Sequence, residues 1–310
     1  MPEILHKLKT NKGSVNAAIY DSTGEYVITA GQDKLIRLNN AQTGNLVQTY
    51  SGQGWAIQGL AINQESNRIV SCGDGRSVIL WDVETATIQR KYTSGHSQRV
   101  DCVAINKEAS VVVSGSFDKT VAVWDIRSMQ HMPLQIMDDA KDGISCVAMT
   151  DTEVIAGSID GSVRTYDIRA GKQVTDTMGQ PVVSLRIFSS DFLQKSVMAV
   201  ACMDSTVQLI DRSNVSVMGT FAGHLCENYR IQCDTNGRMV ASGSEDGYVY
   251  VWNCLESSMD YNDCAKHMSR LAGHSGIVNA VAFHPHSAFD SSKANALLSA
   301  ASDGSIIIWK

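Results

Sequence analysis

The chain has 310 residues, is 44% hydrophobic, and carries 26 Lys and Arg against 32 Asp and Glu, a net charge of −6. No stretch reaches the ~20 consecutive apolar residues of a membrane span. The mildly acidic balance, with only scattered cations such as Arg99, Arg127, Arg164 and Arg169, speaks against a face built to neutralise nucleic-acid phosphates.

The opening "MPEILHKLKTNKGS" has no long apolar core of the kind a signal peptide needs, so a cytoplasmic and nuclear location is expected. Its continuation is more informative. "ILHKLKTNKGSVNAAIY" aligns with "HMSRLAGHSGIVNAVAF" near the other end, which predicts that residues 4–9 form a strand pairing with the last one in the chain. A frayed terminus is the plainer alternative.

Beyond that strand the sequence repeats itself seven times. The copies read "AGQDKLIRLNN" from Ala30, "CGDGRSVILWD" from Cys72, "GSFDKTVAVWDIR" from Gly115 and "GSIDGSVRTYDIR" from Gly157. They continue as "ACMDSTVQLID" from Ala201, "GSEDGYVYVWNCL" from Gly243 and "AASDGSIIIWK" from Ala300. One position near the end of each copy holds Asn39, Trp81, Trp124, Tyr166, Ile210, Trp252 and Trp309 in turn, at intervals of 42 to 44 residues until the last, which is 57. A period in the low forties marks a repeat architecture.

Within one copy, runs such as "VDCVAIN", "SVVVSGS", "KTVAVWD" and "MPLQIM" alternate apolar and polar residues between "FDK", "IDG" or "SDG" turns, which is the pattern of strands. Seven small sheets arranged radially make an all-β, seven-bladed β-propeller, with only short protected edges. It would form one domain over residues 1–310. The long seventh interval comes from two Ser- and Asp-rich insertions, 257–270 and 284–295, expected in turns on the bottom rim as solvated loops.

Eight cysteines contain no CxxC pair, and Cys102 and Cys146, like Cys72 and Cys202, fall at matching places in their repeats. They read as small buried hydrophobes, and neither a metal nor any other cofactor is expected.

The paired marks Gly95-His96, Gly223-His224 and Gly273-His274, each followed by a turn aspartate and, six residues after it, a tryptophan, resemble the WD-repeat propeller family. Elsewhere the Gly-His slot reads Thr10-Asn11, Gly52-Gln53, Ala140-Lys141 and Gly179-Gln180. The resemblance implies hydrogen-bonded structural tetrads: His96, Ser114, Asp118 and Trp124; His224, Ser242, Asp246 and Trp252; His274, Ser299, Asp303 and Trp309. Ser116 and Ser244 also fit the serine place. His96, Asp118 and Ser114 could be read as a nucleophilic triad, but a constellation that occurs three times at repeat spacing is structural. No catalytic residue is assigned. Blades without the histidine are expected to lean more on apolar packing.

In the family, side chains just before the turn aspartate point to the top rim. Phe117, Ile159 and Met203 hold that place in three consecutive repeats and predict an apolar partner surface, which Trp55, Arg99 and Tyr229 extend. The stretches "DDAKDGISCV", "AGSIDGSVRTYDIRAGK", "CMDSTVQLIDRS" and "AGHLCENYRIQCD" are similar to the mitogen-activated protein kinase organizer family. That similarity implies a non-enzymatic scaffold, monomeric by itself, whose partners are kinase-cascade components. The alternative is a stable subunit of a spliceosomal or other ribonucleoprotein complex, binding splicing factors and touching RNA only indirectly.

Overall fold

The computed structural model describes residues 3–128, 130–190, 195–254, 268–287 and 296–310. Seven antiparallel sheets of four strands stand in a ring, and among the described residues no α-helix occurs. Six sheets take their strands in chain order. Blade three, for example, runs Val100–Ile105, Val111–Ser116, Val121–Asp125 and Gln135–Met137 from the axis outward.

The seventh sheet joins the two ends of the chain. Its inner three strands are Val278–Phe283, Leu297–Ala301 and Ile306–Trp309, and its outer strand is Ile4–Leu8. The pairing sets Ile4 opposite Trp309 and Leu8 opposite Ile306, with Glu3 and Lys310 exchanging two backbone hydrogen bonds of 2.8 Å. The N-terminal strand therefore closes the ring as the internal alignment predicts, although it stops at Leu8, one residue short of Lys9.

The alternating pattern buries its apolar face between blades. Ile28, Ile36, Leu38 and Tyr50 of blade one pack against Ile57, Ile69, Ile79 and Trp81 of blade two, and each further pair of neighbours shares a similar cluster. Stability thus resides largely in contacts between neighbours. After each turn aspartate the backbone enters the left-handed region: Lys34 has φ 67°, Lys119 73° and Ser205 62°, whereas Gly161, Gly247 and Gly304 adopt it without a Cβ penalty. In blade two the pattern moves by one place, with Asp74 early and Arg76 at φ 55°.

Six inner strands carry a β-bulge near the top. The residues skipped by the pairing are Asn16, Gln58, Asp101, Ser145, Val183 and Asn279. A bulge re-aims one side chain, and here all six residues line one cavity at the top of the ring. Blade six differs, for its inner strand is only Cys233–Thr235.

Of the two expected insertions, residues 257–267 and 288–295 lie outside the described residues. Residues Met268 to Arg270, placed in the first insertion by the sequence reading, instead begin the outer strand Met268–Ala272 of blade six. Seven described cysteines are free, six of them buried, and no described group of three His, Cys, Asp or Glu is placed to hold a metal. Among the described residues no helix is long and apolar enough to cross a membrane.

Candidate functional site

The polar networks inside the blades set how the top turns are held. In blade three Trp124 donates its indole N–H to Ser114 Oγ at 2.8 Å, Ser114 lies 2.8 Å from His96 Nε2, and His96 Nδ1 lies 3.2 Å from Asp118 Oδ2. A carboxylate only accepts, so Nδ1 carries the proton and Nε2 accepts from the serine. Burial works against the Asp118 charge. Hydrogen bonds from His96, Thr120 and the Ser97 amide outweigh it and hold the carboxyl well below its usual range. Ser114 is fully buried and its hydroxyl is committed, so the apparent triad presents no nucleophile to solvent.

Blade seven builds the network with one more link. Trp309 donates to Ser299 at 2.8 Å and Ser299 meets His274 Nε2 at 2.6 Å, but His274 Nδ1 reaches Asp303 through Ser305. Burial pushes the His274 pKa down to about 4.

Blade six does not assemble the expected set of His224, Ser242, Asp246 and Trp252. Trp252 donates to the Ala222 carbonyl at 3.2 Å, Ser242 to the Gly243 carbonyl, and Asp246 accepts the Tyr250 hydroxyl at 2.7 Å. His224, 3% exposed, has neither ring nitrogen hydrogen-bonded, and burial lowers its pKa to about 4. The physical reason lies four residues after the aspartate. Tyr250 can reach the carboxylate from the third strand, whereas Ala122 at the same place in blade three cannot. Arg37 pairs with Asp33 at 2.6 Å and Arg164 with Asp160 at 2.8 Å from that place in blades one and four. In these two blades, which lack the histidine, the third strand supplies an ion pair.

Blade two, one of those expected to lean more on apolar packing, also keeps a polar tether. Gln53 replaces the histidine, accepting from Ser71 Oγ at 2.8 Å while Ser71 accepts from Trp81 at 2.8 Å. Ser116 and Ser244 hold top-turn backbone instead, at the Arg99 carbonyl and the Leu225 amide respectively.

At the top of the ring lies a funnel of about 510 Å³. Its walls include all six bulge residues together with Arg99, Ile159, Met203, Tyr229 and Arg230. Of the predicted rim residues, four therefore share one cavity. Phe117 stands beside it with the Arg99 guanidinium 4.7 Å from its ring centre, and Trp55 lies farther out against Gly75. Trp55, Phe117 and Tyr229 are 63%, 37% and 52% exposed, whereas Ile159 and Met203 are half-buried, Met203 packing on the core between blades five and six. The expected three-residue apolar strip is thus divided: one residue is exposed and two form the funnel wall.

Two residues that the sequence reading passed over organise this face. Arg230 reaches across the axis from blade six and donates to the carbonyls of Asp101 at 2.7 Å and Gln58 at 3.1 Å, bracing blades two and three. Glu245 accepts the backbone N–H groups of Glu227, Asn228 and Tyr229 at 2.8, 2.6 and 3.0 Å and fixes the loop that carries Tyr229 and Arg230. Those hydrogen bonds hold the Glu245 carboxyl below its usual range, against the opposing effect of burial.

A family model described as "WD domain, G-beta repeat" matches residues 2–40, 44–82, 87–125, 216–253 and 265–310. It passes over residues 126–215, where the structure nevertheless forms the whole of blade four, from Ile144–Met149 to Lys172–Thr177, and the inner three strands of blade five, from Val182–Ser190 to Thr206–Asp211. Among known proteins, WD repeat domain-containing protein 83 of Rattus norvegicus is 36% identical over all of this chain and 93% of its own length. The protein of that name from Homo sapiens is 35% identical over 92% of this chain and 88% of its own length. A Dictyostelium discoideum homolog is 28% identical over 97% and 96%.

Proposed function

The chain belongs to the WD-repeat family, and on that premise we propose that its upper face docks protein partners and that the protein is a non-enzymatic scaffold. The observation that carries this reading is the funnel together with its apolar and aromatic surround: Trp55, Phe117 and Tyr229 are exposed around a cavity walled by Ile159 and Met203. Exposed aromatics at the mouth of a concave surface are the residue types that dominate binding energy at interfaces. The similarity to the mitogen-activated protein kinase organizer family favours kinase-cascade components as the partners, in the cytoplasm and nucleus.

The test follows the exposed residues, since charging half-buried Ile159 or Met203 would disturb the blades. A Trp55→Ala, Phe117→Asp, Tyr229→Ala variant should melt near the wild-type temperature and lose at least one major partner in affinity purification with mass spectrometry. Kinases among the lost proteins support the signalling reading, and splicing factors support a ribonucleoprotein subunit. Survival of the full partner set on a folded variant overturns the docking face.

A further inference from the structure

The charge of the funnel is not balanced in the way its polar contacts are. Arg230 puts a guanidinium at the axis, yet both of its hydrogen bonds go to neutral main-chain carbonyls, and among the described residues no carboxylate oxygen lies within ion-pair distance of it. The nearby carboxylate of Asp101 is already engaged by Arg99, whose Nε lies 3.2 Å from Oδ1. Burial raises the Asp101 carboxyl above its usual range, against the pull of Arg230 and Arg99. The cavity therefore holds two arginines against one buried, already paired acid. Its other polar walls are Asn16, Gln58, Ser145 and Asn279. Of these, Asn16 and Asn279 spend amide protons on neighbouring blades.

We propose that the funnel receives the carboxylate of an aspartate or glutamate side chain from an extended segment of a partner protein, with Arg230 as the group that recognises it. This rests on the upper face being the docking surface. A guanidinium has five N–H donors in a fixed fork, and two carbonyls leave donors for an incoming anion. A carboxylate carries one charge and is planar like the guanidinium, so it can pair without a second cation. A phosphate dianion would bring a second negative charge beside Asp101 and calls for the arginine cluster that this cavity lacks. On either side of the acid, Ile159, Met203 and Tyr229 form the wall against which apolar neighbours in the segment would pack.

The probe is a set of fluorescein-labelled peptides of the form Ser-Gly-Leu-X-Leu-Gly-Ser, with X as Glu, Asp, Gln, Asn, Lys or phosphoserine, titrated into the full chain by fluorescence polarisation. The Glu and Asp peptides should bind about tenfold more tightly than Gln and Asn. That preference should vanish in Arg230→Gln and survive in part in Arg230→Lys, while Val174→Ala, on the exposed outer strand of blade four, leaves the ratio unchanged. Because Arg230 also braces the ring, melting curves accompany each variant. In the wild type, the guanidinium Nε–H resonance of Arg230 should move with the Glu peptide and not with Gln. No preference for a carboxylate, a preference indifferent to Arg230→Gln in a folded variant, or tighter binding of the phosphoserine peptide overturns the proposal. If the rim variant loses partners while no peptide favours an acid, the docking face stands and the carboxylate site falls.

Discussion

Blades three and six carry the same marks at the same spacings, yet only blade three joins them. Gly-His, serine, turn aspartate and tryptophan stand at 95–96, 114, 118 and 124 in one and at 223–224, 242, 246 and 252 in the other. The difference arises at two neighbouring positions. Before the aspartate, blade three has Phe117 and blade six has Glu245; four residues after it, they have Ala122 and Tyr250. Tyr250 takes the aspartate and Glu245 takes the top loop, which leaves His224 buried among Tyr250 and Trp252 with ring contacts alone, at 6.4 and 5.5 Å. A motif therefore brings donors and acceptors near each other, and the strongest local competitor decides which of them pair. Blade six has exchanged a rigid core network for a fixed loop, and that loop holds Arg230 over the axis.

The largest effect is expected where the comparison reaches blade seven, which has a hydrogen-bonded network but borrows its outer strand. Deleting residues 1–9 should expose the edge of Ile306–Trp309, lower the melting temperature by about 10 °C or more, and promote association through the open edge. Calorimetry and light scattering of the truncated chain provide the measurement. A monomer with wild-type melting would mean that the network alone holds a blade, and the contrast drawn between blades would lose its basis.

The next effect separates the two histidines. His96→Leu removes the acceptor of the buried Ser114 hydroxyl and one donor to Asp118, and should cost about 1–3 kcal/mol at pH 7 in urea unfolding. His224→Leu removes no hydrogen bond and should stay within about 0.5 kcal/mol of wild type. Equal losses would show that the two blades use their histidines alike.

A smaller effect sharpens the same contrast with acid. His224 and His274 have folded pKa values lowered by burial to about 4, below the 6.5 of an unperturbed imidazole. Below pH 6.5 the unfolded chain takes up protons that the folded chain refuses, so their stabilising effect, full above 6.5, is lost as the pH falls toward 4. At pH 5 each histidine should have withdrawn about 2 kcal/mol. His224→Leu should flatten that slope by its share, measured from unfolding curves at pH 7, 6 and 5. An unchanged slope would mean that His224 is not buried neutral.

The repeat period and the turn residues made the fold legible, because both are local. Even blade five, where Ile210 replaces the tryptophan and the family model leaves the first three strands unmatched, forms four strands. The end-to-end alignment found the closing strand for the same reason. The polar site was much less legible. Gln53 can stand in for histidine because its side-chain oxygen accepts the same serine proton, an equivalence of chemistry that letter matching does not score. Arg230 bonds to residues 129 and 172 places away in sequence, a contact created by the ring and absent from any single repeat. Phe117, Ile159 and Met203 were read at equivalent positions, but exposure also depends on what the next blade presents, and Met203 meets the core shared with blade six.

The closing pair of strands has a directional consequence. Glu3 and Lys310 lie side by side, and Ile4 to Leu8 runs antiparallel to Ile306 to Trp309. A load applied between residues 3 and 310 therefore pulls across the strands and meets their hydrogen bonds one after another, as in a zipper. A load parallel to the strands would have to shear all of them together. The seam that makes the ring cooperative in solution is for this reason its mechanically softest line, and a tether at both ends would open the seventh blade before straining the other six.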